Sequence, residues 1–199
     1  MEIEPEKQMN PWVAIWFRPR KAMREILRRD EQQPTIWLAL ILGILNGVSS
    51  SILVWGKYAG QGFWVHVGMI ASNLIIAIAI AYLYLYFISW VFQFVGAWFE
   101  GKGNTHAIRL AVGWSFYPWS VTAMLGLISA PFYAAPQAQA IIAIFYAILS
   151  IWALVIFFKL LGEAHRFSAW RSVLTVAITL AMALGVALLI AFIIMLIRL

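Results

Sequence analysis

LAVGWSFYPWSVTAMLGLISAPFYAAPQAQAIIAIFYAILSIWALVIFF, from Leu110 to Phe158, contains no Asp, Glu, Lys or Arg. Roughly 20 apolar residues suffice to cross a bilayer core of about 30 Å, so this stretch holds two crossings and a break. The break falls at Ala130-Pro131-Phe132-Tyr133-Ala134-Ala135-Pro136, because proline interrupts a helix. Ile36–Gly56, Tyr58–Phe99 and Ser172–Ile197 are uncharged in the same way. Together they predict an all-α fold: a polytopic bundle of five transmembrane helices near 36–55, 64–95, 108–130, 137–158 and 170–197. The second is longer than a bilayer needs and is expected to tilt or project. Residues 1–35 form a cytoplasmic N-terminal segment with an interfacial amphipathic helix, ahead of the membrane domain 36–199.

Composition agrees. Hydrophobic residues make up 64% of the 199-residue chain and charged residues 11%, against about a quarter in soluble domains. A water-soluble fold of this length has no way to hide that much apolar surface, so lipid faces the bulk of it. Cysteine is absent, which excludes disulfides, thiol nucleophiles and Cys-ligated metals. Met1–Asn10 is polar with three acids and no basic lead into an apolar core, so no cleavable signal peptide is expected.

The net charge of +6 does not point to nucleic acid, because the basic residues sit where membrane topology puts them. With five spans, Lys7, Arg18, Arg20, Lys21, Arg24, Arg28, Arg29, Lys102, Arg109, Lys159, Arg166 and Arg171 share one side, and only Lys57 and Arg198 lie on the other. The positive-inside rule then predicts a multi-pass protein of the cell's inner membrane, N-terminus in the cytoplasm and C-terminus outside.

Asn10–Arg29 differs in kind. Asn10 suits an N-cap and Pro11 the first helical position, and Pro19 predicts two short helices or a bend at Arg18. Trp12, Ile15 and Trp16 share one face; Met23, Ile26 and Leu27 share another. Trp with Arg and Lys on such helices is the composition of an anchor at the lipid headgroups, with anionic lipid attracting Arg18, Arg20, Lys21 and Arg24. A docking surface for a cytoplasmic protein partner is the second reading.

Any chemistry is expected in two cytoplasmic loops, Gly96–Arg109 and Lys159–Arg171. Each carries Gly-x-x-His: Gly103-Asn104-Thr105-His106 and Gly162-Glu163-Ala164-His165. Asn104 or Thr105 and Ser168 are candidate caps for the helices that follow. Glu100, His106, Glu163 and His165 form a candidate metal set, since imidazole and carboxylate suit zinc or iron; the alternative is ordinary hydrogen-bonded interfacial histidines and no cofactor. Free amides at the caps, beside Arg109, Arg166 and Arg171, favour lipid phosphate, or else these arginines only enforce topology.

Within the spans, Asn46, Ser49–Ser51, Asn73, Ser89, Gln93, Ser115, Ser120 and Thr122 are expected to hydrogen-bond between helices, and Gly43 and Gly47 to allow close packing. Pro118 kinks its helix, with Ser or Thr satisfying a freed carbonyl. Trp37, Trp55, Trp64, Trp98 and Trp170 read as interfacial belts, and Trp119 as a packing residue. A polar pathway is the alternative, but no ionisable acid or base lies mid-span to carry protons or couple ions. Serine-hydrolase, metalloprotease, P-loop and paired-aspartate patterns are missing.

Several of these pieces resemble the Yip-type membrane proteins, whose eukaryotic members interact with Rab/Ypt GTPases, and in particular their prokaryotic branch. Asn10-Pro11-Trp12 through Ile15-Trp16-Phe17-Arg18-Pro19-Arg20 looks like the family's pre-span segment. Gly101-Lys102-Gly103-Asn104-Thr105 through Ala111, Trp114-Ser115 and Pro118 looks like its second loop and third span, and Leu161–Arg171 like its last loop. The resemblance implies a five-helix fold with a cytoplasmic N-terminal region. That region is reduced here to some 35 residues, and the Asp-Leu-Tyr-Gly-Pro motif of eukaryotic members is missing, so Rab binding does not carry over. The family has no catalytic residues to transfer.

The leading expectation is a non-enzymatic membrane protein that organises membrane or binds lipid, a protein partner or further copies of itself as a homo-oligomer, through its cytoplasmic face. A small oligomeric transporter or channel for a solute, ion or lipid comes second, and a metal site at the two histidines third. A wide polar cavity favours the second; four convergent His and Glu side chains favour the third.

Overall fold

The computed structural model describes residues 9–58 and 60–197; Lys7 and Arg198 of the charge count lie outside them. Seven α-helices follow one another: α1 (Pro11–Phe17), α2 (Pro19–Arg29), α3 (Gln33–Val54), α4 (Phe63–Ala97), α5 (Thr105–Ser129), α6 (Pro136–His165) and α7 (Ala169–Ile197). Two 3₁₀ turns, Trp55–Tyr58 and Ala130–Ala134, link α3 to α4 and α5 to α6. No strand occurs among the described residues.

Four of these helices are long and apolar enough to cross a membrane: α3 with its 3₁₀ extension, α4, α6 and α7. The protein is therefore a membrane protein with several apolar helices. The remaining expected span, 108–130, lies on α5, which is of crossing length but is not among the four. Its composition has a physical reason. Ile108 and the run Leu110–Phe116 are all buried, so α5 is shielded by its neighbours and carries Gly113, Ser115, Ser120 and Thr122 without exposing them to lipid.

Local chemistry sets the helix ends. Asn10 Oδ1 accepts from Trp12 N–H at 3.1 Å and Pro11 opens α1. Pro19 ends α1 at Arg18 and starts α2. Asn104 caps α5 by accepting from Ala107 N–H at 2.8 Å. One boundary departs from expectation. Lys159–His165, read as loop because charge returns there, continues α6 as helix to Arg166, whose left-handed φ of 60° ends it. Charge marks where a helix leaves hydrocarbon, not where its backbone hydrogen bonding stops.

The helices pack through small residues. A Cβ on Gly43 would come within 2.8 Å of Ile78 Cα, and one on Gly47 within 2.9 Å of Leu74 Cα, so α3 and α4 touch backbone to backbone. Asn73 Nδ2 crosses the same seam to Ser51 Oγ at 3.2 Å. Most other polar side chains turn back on their own helix: Asn46 to Leu42 O, Ser89 to Leu85 O and Thr122 to Pro118 O. α5 stays one continuous helix through Pro118.

Outside the α3–α4 seam, packing loosens away from the charged face. Ser172, Thr175 and Thr179 of α7 are buried, whereas every residue of that helix from Leu180 to Ile197 is exposed. α6 is likewise exposed over most of its first half, and its buried residues begin at Ala153. Where the helices part, a cavity of about 600 Å³ is bordered by α3, α4, α5, α6 and α7.

Candidate functional site

The tightly packed half ends in the charged face of the molecule, where α1, α2 and the α4–α5 and α6–α7 connections converge. The Gly-x-x-His loops meet there. Lys102 N–H donates to His165 O at 3.0 Å, and a Cβ on Gly103 would clash with Ala164 O. His165 is wholly buried at the junction. Its Nε2 donates to Phe92 O at 3.1 Å, since a carbonyl only accepts, and its ring stacks on Phe167 at 4.8 Å. Gly96 and Gly101 lie so close to the imidazole that neither has room for a side chain. Gly101 N–H and Phe99 N–H close the end of α4 by donating to Gly96 O. Glu100, at φ 63°, makes the left-handed turn between the helices.

His106 has a different task. Its Nε2 donates to the Asp30 carboxylate and its Nδ1 faces the Gln32 amide. Asp30 is the left-handed C-cap of α2, so this contact fixes the α2–α3 corner to the first turn of α5. Thr105 Oγ1 donates to Gln93 Oε1 across to α4.

The carboxylates are engaged separately. Glu163 accepts from Arg24 Nη1 at 2.9 Å, and Glu100 from Arg171 Nη1 at 3.3 Å; the same Nη1 reaches Phe99 O at 3.1 Å. The candidate metal set Glu100, His106, Glu163 and His165 is therefore dispersed, each residue held by partners of its own. No group of three or more His, Asp or Glu able to hold a metal occurs among the described residues.

α1 and α2 lie against this face with their apolar sides turned to the protein. Ile15, Ala22, Met23 and Ile26 are buried in the core cluster with residues of α5 and α6. The Trp12 ring is 4.6 Å from Trp114 and edge-on to Tyr117, and Trp16 also meets Tyr117 edge-on. Trp152 Nε1 donates to Trp16 O at 3.2 Å. The two tryptophans thus pack at least in part on the bundle. Their helical spacing gave an apolar face but not what covers it.

The cations occupy the outward side. Glu25 pairs with Arg28 at 2.7 Å and Arg29 at 2.9 Å, and those guanidinium groups hold its carboxyl below the ordinary value of 4.5. Arg109 lies over the Tyr86 ring at 4.4 Å and Lys159 over Trp152 at 5.8 Å, both cation–π contacts rather than free charges. Arg18, Arg20, Lys21, Lys102 and Arg166 are exposed and have no ion-pair partner among the described residues. Chemically this face presents guanidinium and ammonium groups without a carboxylate partner among the described residues.

Asp30, Gln32, Gln93, Phe92, Gly96 and Gly101 were missed as members of the site. The density of glycine over 96–103 was the one available signal.

No curated protein and no solved structure matches the chain. The family model of the Yip1 domain matches it over residues 13–192, from α1 to the last turns of α7. That span takes in both loops, the α1–α2 segment and all five long helices, and the chain belongs to the Yip1 domain family.

Proposed function

We propose that the protein is a non-enzymatic membrane scaffold that crosses the bilayer five times, α5 included. Its charged face lies in the cytoplasm and its C-terminus outside, in the inner membrane of the cell. α1 and α2 lie at the headgroups, where Arg18, Arg20 and Lys21, with Lys102 and Arg166 from the two loops, bind anionic lipid phosphates and recruit them around the bundle. One observation carries this reading: the charged face bears eleven cations against five acids among the described residues, and its exposed cations outnumber the carboxylates that neutralise them. Each such charge near an anionic surface adds about 1 kcal/mol, screened over roughly 8 Å at physiological salt.

The test is energy transfer from the reconstituted protein to labelled phosphatidylglycerol in phosphatidylcholine vesicles. The native chain is expected to enrich phosphatidylglycerol in its boundary shell, and 0.5 M salt or the combined Arg18→Ala, Arg20→Ala, Lys21→Ala and Arg166→Ala variant to remove most of that enrichment. Equal enrichment in native and variant chains refutes the reading.

A further inference from the structure

We infer that the cavity between the five long helices is a binding site for one hydrocarbon chain of a membrane lipid. The site is separate from the charged face and does not depend on its function.

The cavity's position comes first. Along α4 its lining runs from Ala77 to Phe92, sixteen residues, or about 22 Å at 1.5 Å per residue. That exceeds one leaflet of a bilayer whose core is about 30 Å thick, so the space is long and suits a linear chain rather than a compact solute. Its volume, about 600 Å³, falls within the roughly 300–1,000 Å³ of ligand pockets. Toward the charged face it is closed by Phe92 and Phe157, both buried, with ring centroids 5.8 Å apart. Toward the other end it opens beside Leu180, the residue from which α7 is exposed. Four of the five bordering helices are candidate spans, so bilayer hydrocarbon stands at that opening.

The lining chemistry selects the occupant. No charged side chain lines the cavity, so an ion or zwitterion would enter without a counter-charge. Three of its polar residues are already committed to their own helices: Asn46 to Leu42 O at 2.9 Å, Ser115 to Val112 O at 2.6 Å and Thr179 to Thr175 O at 2.9 Å. Water needs two to four polar partners at one point, and the donors left uncommitted, the Ser50 and Tyr84 hydroxyls and the Trp119 N–H, are divided among α3, α4 and α5. An alkyl chain needs none, and it gains dispersion contacts with Ile80, Ile88, Leu154 and Val176 along its length.

The natural absence of cysteine makes the test direct. The full chain is reconstituted with phosphatidylcholine carrying a diazirine on its acyl chain and irradiated. Labelling at Trp119, which lines the cavity, is expected to equal or exceed that at Ile148 on the exposed side of α6. Ala77→Phe with Ser50→Phe, which fills the cavity from α4 and α3, is expected to lower the Trp119 label at least fivefold and leave the Ile148 label unchanged. In a second measurement Asn46→Cys is expected to react with a membrane-impermeant charged thiol reagent at least tenfold more slowly than Lys57→Cys. A Trp119 label well below that of Ile148 in the native chain, or undiminished in the filled variant, overturns the inference. Fast modification of Asn46→Cys overturns it too, by showing a wet cavity, and needs no cavity-filling variant to fold.

Discussion

The imidazole of His165 occupies the place a Cβ on Gly96 would take. Helix α4 thus ends against the last residue of α6 with no space between, and glycine is required at position 96 for closeness rather than flexibility. Gly96→Ala is expected to cost about 1–3 kcal/mol through displacement of the ring and of its bond to Phe92 O. Gly185→Ala, whose Cβ meets nothing within 4 Å, is expected to be neutral or to gain up to about 1 kcal/mol. Thermal unfolding in detergent compares the two, and equal midpoints would remove the packing argument.

What holds α2 down is apolar contact more than charge. Met23 is wholly buried, whereas the Arg24 side chain is 57% exposed at its pair with Glu163. Met23→Ala is expected to cost about 2–5 kcal/mol and Arg24→Ala less than about 1 kcal/mol. Limited proteolysis within α2, followed over time, reads the difference; faster cleavage in the arginine variant than in the methionine variant would reverse the assignment.

Acid is expected to loosen α2 by a defined route. The Glu25 carboxyl is held below its ordinary value of 4.5, first by its hydrogen bond with Arg29 and then by that with Arg28. A carboxyl depressed on folding contributes stability above its unfolded value and loses it as pH falls through the folded one. Amide exchange of α2 should therefore accelerate below pH 4.5 relative to the same helix in Glu25→Gln, which carries no such titration. Parallel pH profiles for the two chains would exclude Glu25 as the cause.

Arg166 separates stability from the proposed recruitment of lipid. It ends α6 at φ 60°, a conformation that costs an L-residue roughly 1–2 kcal/mol and glycine almost nothing. Arg166→Gly is expected to raise the melting midpoint by a few degrees, since 1 kcal/mol moves a chain of this size by about 2–4 °C. It should at the same time weaken phosphatidylglycerol enrichment. A variant that is both less stable and equally enriched would contradict both assignments.

The helices were legible in the sequence because uncharged length and proline position are one-dimensional signals. Pro19, Pro131 and Pro136 fall at helix boundaries, and Asn10 and Asn104 cap as their residue types suggest. The charged face was legible as a concentration of Lys and Arg. Its wiring was not. His106 and His165 share a local pattern, yet one reaches Asp30, 76 positions away, and the other Phe92, 73 away. Such pairings depend on which helices are neighbours, and hydropathy does not encode that. The centrality of α5 was hidden for the related reason that a shielded helix and a lipid-facing one differ only modestly in composition.

The exposed half of α7 has a mechanical consequence. From Leu180 to Ile197 no residue of this helix is buried. Bilayers differ in thickness by several ångströms, and a helix adapts by leaning, at a fraction of a kcal/mol per ångström of mismatch. In a packed bundle that lean must be shared by every neighbour. Here α7 is expected to lean alone, about the last buried residue Thr179, so that a change in membrane thickness is taken up at the far end of one helix while the joined loops on the charged side keep their geometry.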